Sequence, residues 1–318
     1  MELDLNSLKY LAVPLIVSLV QEPIILPILR NLEIGQSIRK AGPKSHYKKS
    51  GTPTMGGLIF FISLLVGLVL FVDFNEKVWL MFLGTFLFGL IGFIDDFIIV
   101  VKKDNEGLRP KQKLVGQIVF ALLIGFYYYR TNDTSLVIPF SDRLVNMGIL
   151  YVPFMAFVLV GTVNSVNLTD GLDGLATGVT ILVLAFFYFI SRQLGVFEVA
   201  EFSLILIGAL IGFLVINFHP AKAFMGDTGS MALGGAVATI AMVLNLPLVI
   251  PIVGGIYFAE AVSVIIQVTS YKYRKKRVFL MSPLHHHYEQ KGWHETKVVF
   301  VFWTITFLLC IVGYFSIK

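Results

Sequence analysis

Charge is what this sequence has least of. Only 14% of its 318 residues are Asp, Glu, Lys or Arg, against 56% in the hydrophobic set, and mean hydropathy is +0.81. Soluble globular chains carry about 25% charged residues, so a soluble domain is excluded and a polytopic membrane protein is indicated. Cysteine is nearly absent. The lone Cys310 falls in the last apolar run, so no intrachain disulfide can form and nothing marks a scaffold from an oxidising compartment. A basic flank is missing at the start: Met1-Glu2-Leu3-Asp4 precedes an apolar stretch long enough to span, which reads as an uncleaved first helix. Repeats, low-complexity tracts and linkers are missing too, so one transmembrane domain over 1–318 is expected.

What is present is a series of long apolar runs, at about 8–29, 55–72, 78–101, 114–129, 147–163, 175–191, 202–218, 229–245, 248–270 and 297–316. They are continuous rather than alternating at period two, which excludes a closed barrel and predicts an all-α bundle of about ten transmembrane helices. At about 20 residues per span, ten helices take about 200 residues and leave no room for large extramembrane domains. Trp79 and Trp293 sit at run edges, where interfacial aromatics belong. An even number of spans puts both termini on one side. Of the 25 Lys and Arg, 19 fall in the loops 30–54, 102–113, 219–228 and 271–297. By the positive-inside rule those loops, with 164–174, face the cytoplasm and both termini are extracytoplasmic. The net charge of +5 is thereby accounted for without nucleic acid.

Polar clusters that spanning helices do not need collect in or beside the same five loops. Lys48-Lys49-Ser50-Gly51-Thr52-Pro53-Thr54-Met55-Gly56-Gly57 is a basic, glycine-bearing helix entry able to hold phosphate, or simply an N-terminal cap. Asp95-Asp96 lies in the run 78–101, about 9 Å from its cytoplasmic end at 1.5 Å per residue. A charged aspartate at mid-bilayer costs about 2.5–3.5 kcal/mol on insertion scales and less near the interface, so something must offset two of them. Adjacent helical positions diverge by about 100°, so one of the pair can be structural. Lys102, Lys103, Lys111 and Lys113 follow as counter-ions or phosphate contacts.

Asn164-Ser165-Val166-Asn167-Leu168-Thr169-Asp170-Gly171-Leu172-Asp173-Gly174 holds more acids, amides and glycines than a helix cap requires, and no Lys or Arg. It suits hydrogen-bond reading of a neutral group, or a cation. In Asn217-Phe218-His219-Pro220-Ala221-Lys222-Ala223-Phe224-Met225-Gly226-Asp227-Thr228-Gly229-Ser230, Asp227, Thr228 or Ser230 could cap the next helix. Yet a carboxylate for Mg²⁺, a Lys for phosphate and a ring for a base also stand within six positions. Ser282-Pro283-Leu284-His285-His286-His287-Tyr288-Glu289 invites a zinc reading, but three contiguous histidines are poorly spaced for tetrahedral coordination and the only cysteine is remote. Contact with phosphate or sugar oxygens suits them better. Acids for a divalent cation, bases for phosphates and an aromatic at one membrane face together describe phosphoryl transfer from a soluble nucleotide to a lipid phosphate.

These residues resemble the phospho-N-acetylmuramoyl-pentapeptide transferases of the polyprenyl-phosphate N-acetylhexosamine-1-phosphate transferase superfamily, from Gly51 to the triple histidine. The resemblance implies transfer of phospho-MurNAc-pentapeptide from UDP-MurNAc-pentapeptide to undecaprenyl phosphate with Mg²⁺, yielding lipid I and UMP at the cytoplasmic side of a bacterial plasma membrane. Ten helices with external termini are the family's architecture, and its members often form a homodimer. Position by position, it implies Asp227 as magnesium ligand, Asp95 as base or nucleophile, Asp96 as its partner and His286 in the catalytic set. Phe224 matches the uracil-stacking aromatic, and Asn167, Asp170, Gly171, Leu172 and Asp173 the nucleoside segment. Lys49, Thr54, Lys111, Asn217, Gln267, His285 and His287 match further substrate contacts around the cleft. The chain departs from the family pattern at Ile99, where members often carry Lys; Lys102 or Lys103 are the substitutes at hand. A sister enzyme transferring GlcNAc-1-phosphate would share the aspartates but not Ser282-Pro283-Leu284-His285-His286-His287. A secondary transporter would favour midplane sites and repeated halves instead.

Overall fold

A computed structural model describes residues 5–31, 51–102, 107–141 and 143–317. Each of the ten apolar runs coincides with a helix: α1 (Leu5–Asn31), α2 (Gly57–Phe71), α3 (Glu76–Lys102), α4 (Pro110–Thr131), α5 (Tyr151–Thr169), α6 (Leu175–Gln193), α7 (Phe197–Asn217), α8 (Gly226–Val243), the bent pair α9 (Ile250–Val253) and α10 (Gly255–Arg274), and, after the short α11 (Leu284–Gln290), α12 (Glu295–Ser316). Strands are confined, among the described residues, to one antiparallel hairpin between α4 and α5, β1 (Ser135–Val137) with β2 (Leu144–Asn146), Leu136 opposite Val145. The protein is an all-α polytopic membrane protein.

Not every one of the ten runs meets the length and hydropathy of a full span. Seven helices are long and apolar enough to cross a bilayer, and eight if the bent pair is one span. At 15 residues α2 is only about 22 Å long, short of a hydrocarbon core of about 30 Å. The first turn of α8 carries Gly226, Asp227, Thr228, Gly229 and Ser230, which lowers its hydropathy. The run 248–270 is broken at Gly254, where α9 and α10 meet at 83°.

Burial follows the helical period. On α4, Gln117, Ala121, Ile124 and Tyr128 face the bundle, while Val115, Val119, Leu122 and Phe126 are exposed on the opposite stripe, the pattern of a helix between protein and lipid. By contrast α8 is buried on every side, packed against α3, α5, α2 and α6. Lipid tails are as apolar as leucine, so close helix association here depends on small residues that let backbones meet. The contact of α3 with α8 uses them. A Cβ on Gly84 would lie 2.2 Å from Thr239 Cγ2, one on Gly235 2.3 Å from the Gly84 carbonyl oxygen, and one on Gly92 2.0 Å from the Asp227 carbonyl oxygen. The two helices run antiparallel, so the C-terminal third of α3 lies against the N-terminus of α8. Asp95-Asp96 and Asp227 therefore reach the same end of the bundle.

Candidate active site

The two adjacent aspartates face different partners, as a turn of about 100° requires. Asp96 is spent on α8. Its Oδ2 accepts from the Thr228 amide at 2.9 Å and the Thr228 hydroxyl at 2.6 Å, and Oδ1 accepts from the Asp227 amide at 3.3 Å. Met225, at the N-cap, supplies no capping side chain, so the carboxylate from α3 satisfies the first free amides of α8 and sits at the positive end of its dipole. Gly226 keeps the approach open: its φ is +74°, and a Cβ there would lie 2.5 Å from Asp96 Oδ2.

Asp95 turns the other way. Its Oδ1 accepts from the Leu108 amide at 2.8 Å, and its Oδ2 lies 3.1 Å from the Lys113 ammonium. The same ammonium pairs with Asp227 Oδ2, so one cation bridges carboxylates 132 positions apart in the chain. Asp227 Oδ1 accepts from Asn167 Nδ2 at 2.7 Å. That amide also donates to Ser230 Oγ at 2.9 Å, whose hydroxyl donates to the Gly226 carbonyl. α3, α4 and α5 each contribute one group to this centre and α8 contributes two, Asp227 and Ser230. Asp95 is buried, whereas Asp227 and Lys113 are half-buried, so the centre opens on the Asp227 side.

Two carboxylates against one ammonium leave a formal excess of one negative charge. The donors are hard oxygens, and Lys113 stands as a cation between them. A full protein cage is not assembled there; a site with one or two carboxylates is how magnesium is held when phosphates supply further ligands. The donor chemistry fits Mg²⁺ at Asp227, with Asp95 adjoining.

Further contacts around this centre shape the neighbouring loops. Asp173 Oδ2 accepts from the Ala221 amide at 3.0 Å and lies 3.1 Å from His219 Nδ1, and the Asp173 amide donates to Glu295 Oε1 at 2.7 Å. His219 Nδ1 is also 3.4 Å from Glu295 Oε2. This trio is the one cluster of metal-ligand type among the described residues, and its atoms are already joined to one another. It ties the turn 170–174 to the loop after α7 and to the start of α12. Asn217 receives the Thr177 hydroxyl at 2.7 Å and donates to the Ala223 carbonyl at 3.1 Å, fixing the turn before Phe224. Phe224 is strapped to the loop preceding α2: its amide donates to the Pro53 carbonyl and its carbonyl accepts from the Gly56 amide, both at 2.8 Å. Between them Thr54 is buried, with no hydrogen-bond partner for its hydroxyl among the described residues.

The histidine segment enters from α11. The His285 ring rests on the backbone of Gly171, so close that a Cβ there would lie 2.1 Å from Nε2. His286 Nδ1 lies 2.8 Å from Glu289 Oε2. His287 Nδ1 accepts from the Leu280 amide at 3.1 Å, and burial together with the Lys291 charge holds its pKa below the usual histidine value. Gln267 is bound to the Val278 and Phe279 backbone. These hydrogen bonds tie Gln267 and His287 to the loop 275–283 rather than to the aspartates. Lys111 is exposed on the first turn of α4, and Asp170 and Leu172 flank Gly171 in the turn below His285. Lys49 and Lys103 lie outside the described residues.

Several residues of the site are not among those the resemblance implied. Lys113 is the base at the aspartates, two residues from Lys111 and so about 200° around the helix, which lets only one of them face the bundle. Lys102, offered as a substitute at Ile99, is exposed. Ser230 enters through the packing of α8 on α5, and His219 and Glu295 through the contacts of Asp173, with no sequence spacing to announce them. Glu260, under His285, could have been found as the one acid in the apolar run 248–270.

Comparison with known proteins identifies the family. The model of glycosyl transferase family 4 matches residues 78–245, and a phospho-N-acetylmuramoyl-pentapeptide-transferase signature matches residues 49–61. Proteins named phospho-N-acetylmuramoyl-pentapeptide-transferase are similar over nearly the whole chain. One from Clostridium botulinum (strain Alaska E43 / Type E3) is 51% identical over 94% of this chain and 93% of its own length. Another, from Clostridium novyi (strain NT), is 50% identical over 96% and 95%. A third, from Acetivibrio thermocellus, is 49% identical over 95% and 92%. At such identity and coverage, the chain belongs to the phospho-N-acetylmuramoyl-pentapeptide-transferase family.

Proposed function

We propose that this protein transfers phospho-MurNAc-pentapeptide from UDP-MurNAc-pentapeptide to undecaprenyl phosphate, forming lipid I and UMP, with Mg²⁺, at the cytoplasmic face of the bacterial plasma membrane. The observation that carries the reading is the convergence of Asp95, Lys113, Asn167 and Asp227 at one end of the helical bundle. A soluble nucleotide and a lipid phosphate can both reach that end. The concentration of Lys and Arg in the loops on that side supports the cytoplasmic assignment.

In the reaction an oxygen of the lipid phosphate attacks the sugar-linked phosphorus, and the bond to the bridging oxygen breaks to release UMP. A phosphate monoester has a second pKa near about 6, so at pH 7 the nucleophile is largely deprotonated and needs little help from a base. Repulsion between anions is the larger obstacle. The Lys113 ammonium lies where it can offset that charge, and Asn167 holds the Asp227 carboxylate in place. Asp227, with Asp95 beside it, would hold Mg²⁺, which supplies charge neutralisation on the diphosphate. Asp95 orients or deprotonates the incoming lipid phosphate in a single displacement. Phe224 stacks on the uracil, and the turn 170–174 reads the nucleoside.

UMP release from UDP-MurNAc-pentapeptide by the purified protein tests this. It is expected to require both polyprenyl phosphate and Mg²⁺, and to exceed release from UDP-GlcNAc. Equal turnover of the two donors would assign the chain to the GlcNAc-1-phosphate transfer reaction instead. Trapping a phosphorylated Asp95 without lipid acceptor would defeat the one-step mechanism.

A further inference from the structure

Glu260 has no part in the chemistry above, yet it is fully buried on α10, six residues beyond the break at Gly254. Among the described residues its one ion-pair partner is a histidine, cationic only when protonated. A buried carboxylate is retained only where its lone pairs are satisfied. Three donors do so here, all from the start of α11. Oε2 accepts from the Leu284 amide at 2.5 Å, Oε1 accepts from the His285 amide at 3.2 Å, and the same oxygen lies 3.0 Å from His285 Nδ1.

A carboxylate that accepts two backbone N–H bonds presents only lone pairs to the ring, so Nδ1 must carry its proton toward Glu260. In a neutral ring the other nitrogen is then a lone pair. That nitrogen, Nε2, is buried, has no partner among the described residues and lies against the backbone of Gly171. We infer that Glu260 is a positioning residue, which docks the start of α11 and fixes His285 in the Nδ1–H form so that Nε2 is presented at the nucleoside turn as a hydrogen-bond acceptor for the sugar nucleotide. A group on the donor substrate with an N–H or O–H is the chemistry Nε2 would accept. For its kinetic readout the inference rests on the transferase reading.

Glu260→Gln tests it in the full-length protein. Gln keeps the volume but replaces one oxygen with an NH₂ that cannot accept. Where that NH₂ meets Nδ1, the ring must take the Nε2–H form and the acceptor is lost. The variant is expected to insert normally but to melt below the parent, because at least one buried N–H loses its acceptor, while kcat/KM for the UDP-sugar falls about 10–100-fold, the scale of losing the orienting partner of a histidine at a metal site. The same substitution in a His285→Ala background should add less than a twofold further loss, because the two residues act as one unit. ¹⁵N spectra of labelled histidine should show His285 protonated at Nδ1 in the parent and at Nε2 in Glu260→Gln. Unchanged kcat/KM in a folded variant, additive losses in the double variant, or a parent ring protonated only at Nε2 would each overturn the inference. If Glu260→Gln does not fold, the spectrum of the parent alone decides. A parent without UMP release would sink the transferase reading and leave the tautomer measurement standing as the test of Glu260.

Discussion

At the scale of single residues the two neighbouring aspartates separate into different kinds of work, and their substitution should separate too. Asp95 contacts the Lys113 ammonium that also pairs with Asp227, whereas Asp96 holds the first amides of α8. Asp227→Asn is expected to lower Mg²⁺-dependent turnover by about 10²–10³-fold, the scale of losing one preorganised electrostatic contact, while insertion and melting are unchanged. Asp96→Ala should instead lower thermal stability by about 1 kcal/mol or more, as lost caps do, with activity falling as the fold loosens. Melting curves and UMP release measured on the same preparations distinguish the two; a variant of Asp96 that melts like the parent contradicts the capping role.

His287 gives a prediction with a sign. Burial and the Lys291 charge depress its pKa, and its Nδ1 accepts the Leu280 amide, which only an unprotonated nitrogen can do. Phe279 and Tyr288 supply its ring contacts. A histidine held neutral in the folded state contributes stability in full above its ordinary value near 6.5, and loses it as pH falls through the depressed value. Stability should therefore decline in acid, and His287→Gln should flatten that decline. Thermal melts of both proteins across pH 5–8 check it, and parallel curves would remove His287 from the account.

Among the secondary elements, the α3–α8 contact is the piece on which the site most depends. Gly92 touches neither substrate nor cation in the proposed reaction, but a Cβ there would collide with the Asp227 carbonyl, which is backbone and cannot swing aside. Gly92→Ala is expected to push the start of α8 away from Asp95 and cut activity at least tenfold. Gly161→Ala on α5 has nothing within 4 Å of its added methyl and should be neutral, or stabilising by about 0.5–1 kcal/mol, the usual gain in a helix interior. Equal activities of the two variants would show that the close approach of α3 to α8 does not set the site. Elements were largely legible in the sequence because a bilayer demands long apolar runs, and all ten runs are helices. The break at Gly254 was not, since the run 248–270 stays apolar through it and periodicity carries no signal for an 83° bend. The polar clusters were equally visible, because acids within or beside apolar runs are costly and stand out. Their pairing was hidden. Which of Lys111 and Lys113 faces the bundle, or that Glu260 lies under His285, depends on how helices pack, and no single stretch of sequence records that.

Across the whole molecule the aspartate centre and the α10–α11 segment lie at one end of the bundle, and the β1–β2 hairpin belongs to the other. The hairpin follows α4, whose first turn carries Lys113 at the site and whose last turn carries Arg130. α4 meets the length and hydropathy of a span, so its two ends face opposite compartments. The proposal that the site end is cytoplasmic rests on the positive-inside rule applied to the sequence, where 19 of the 25 Lys and Arg fall in the segments 30–54, 102–113, 219–228 and 271–297. The lone Cys310 makes this testable, because its replacement by Ser leaves a chain without thiols. In that background, Leu144→Cys in the exposed hairpin should react with a membrane-impermeant maleimide added to intact cells, and Lys111→Cys only after the membrane is opened. Labelling of Lys111→Cys from outside would reverse the orientation. It would also turn the aspartate centre away from the compartment that holds nucleotides, and the proposed reaction could not take place there. Labelling of both positions from one side would mean that α4 does not cross the bilayer at all, despite its 22 apolar-rich residues.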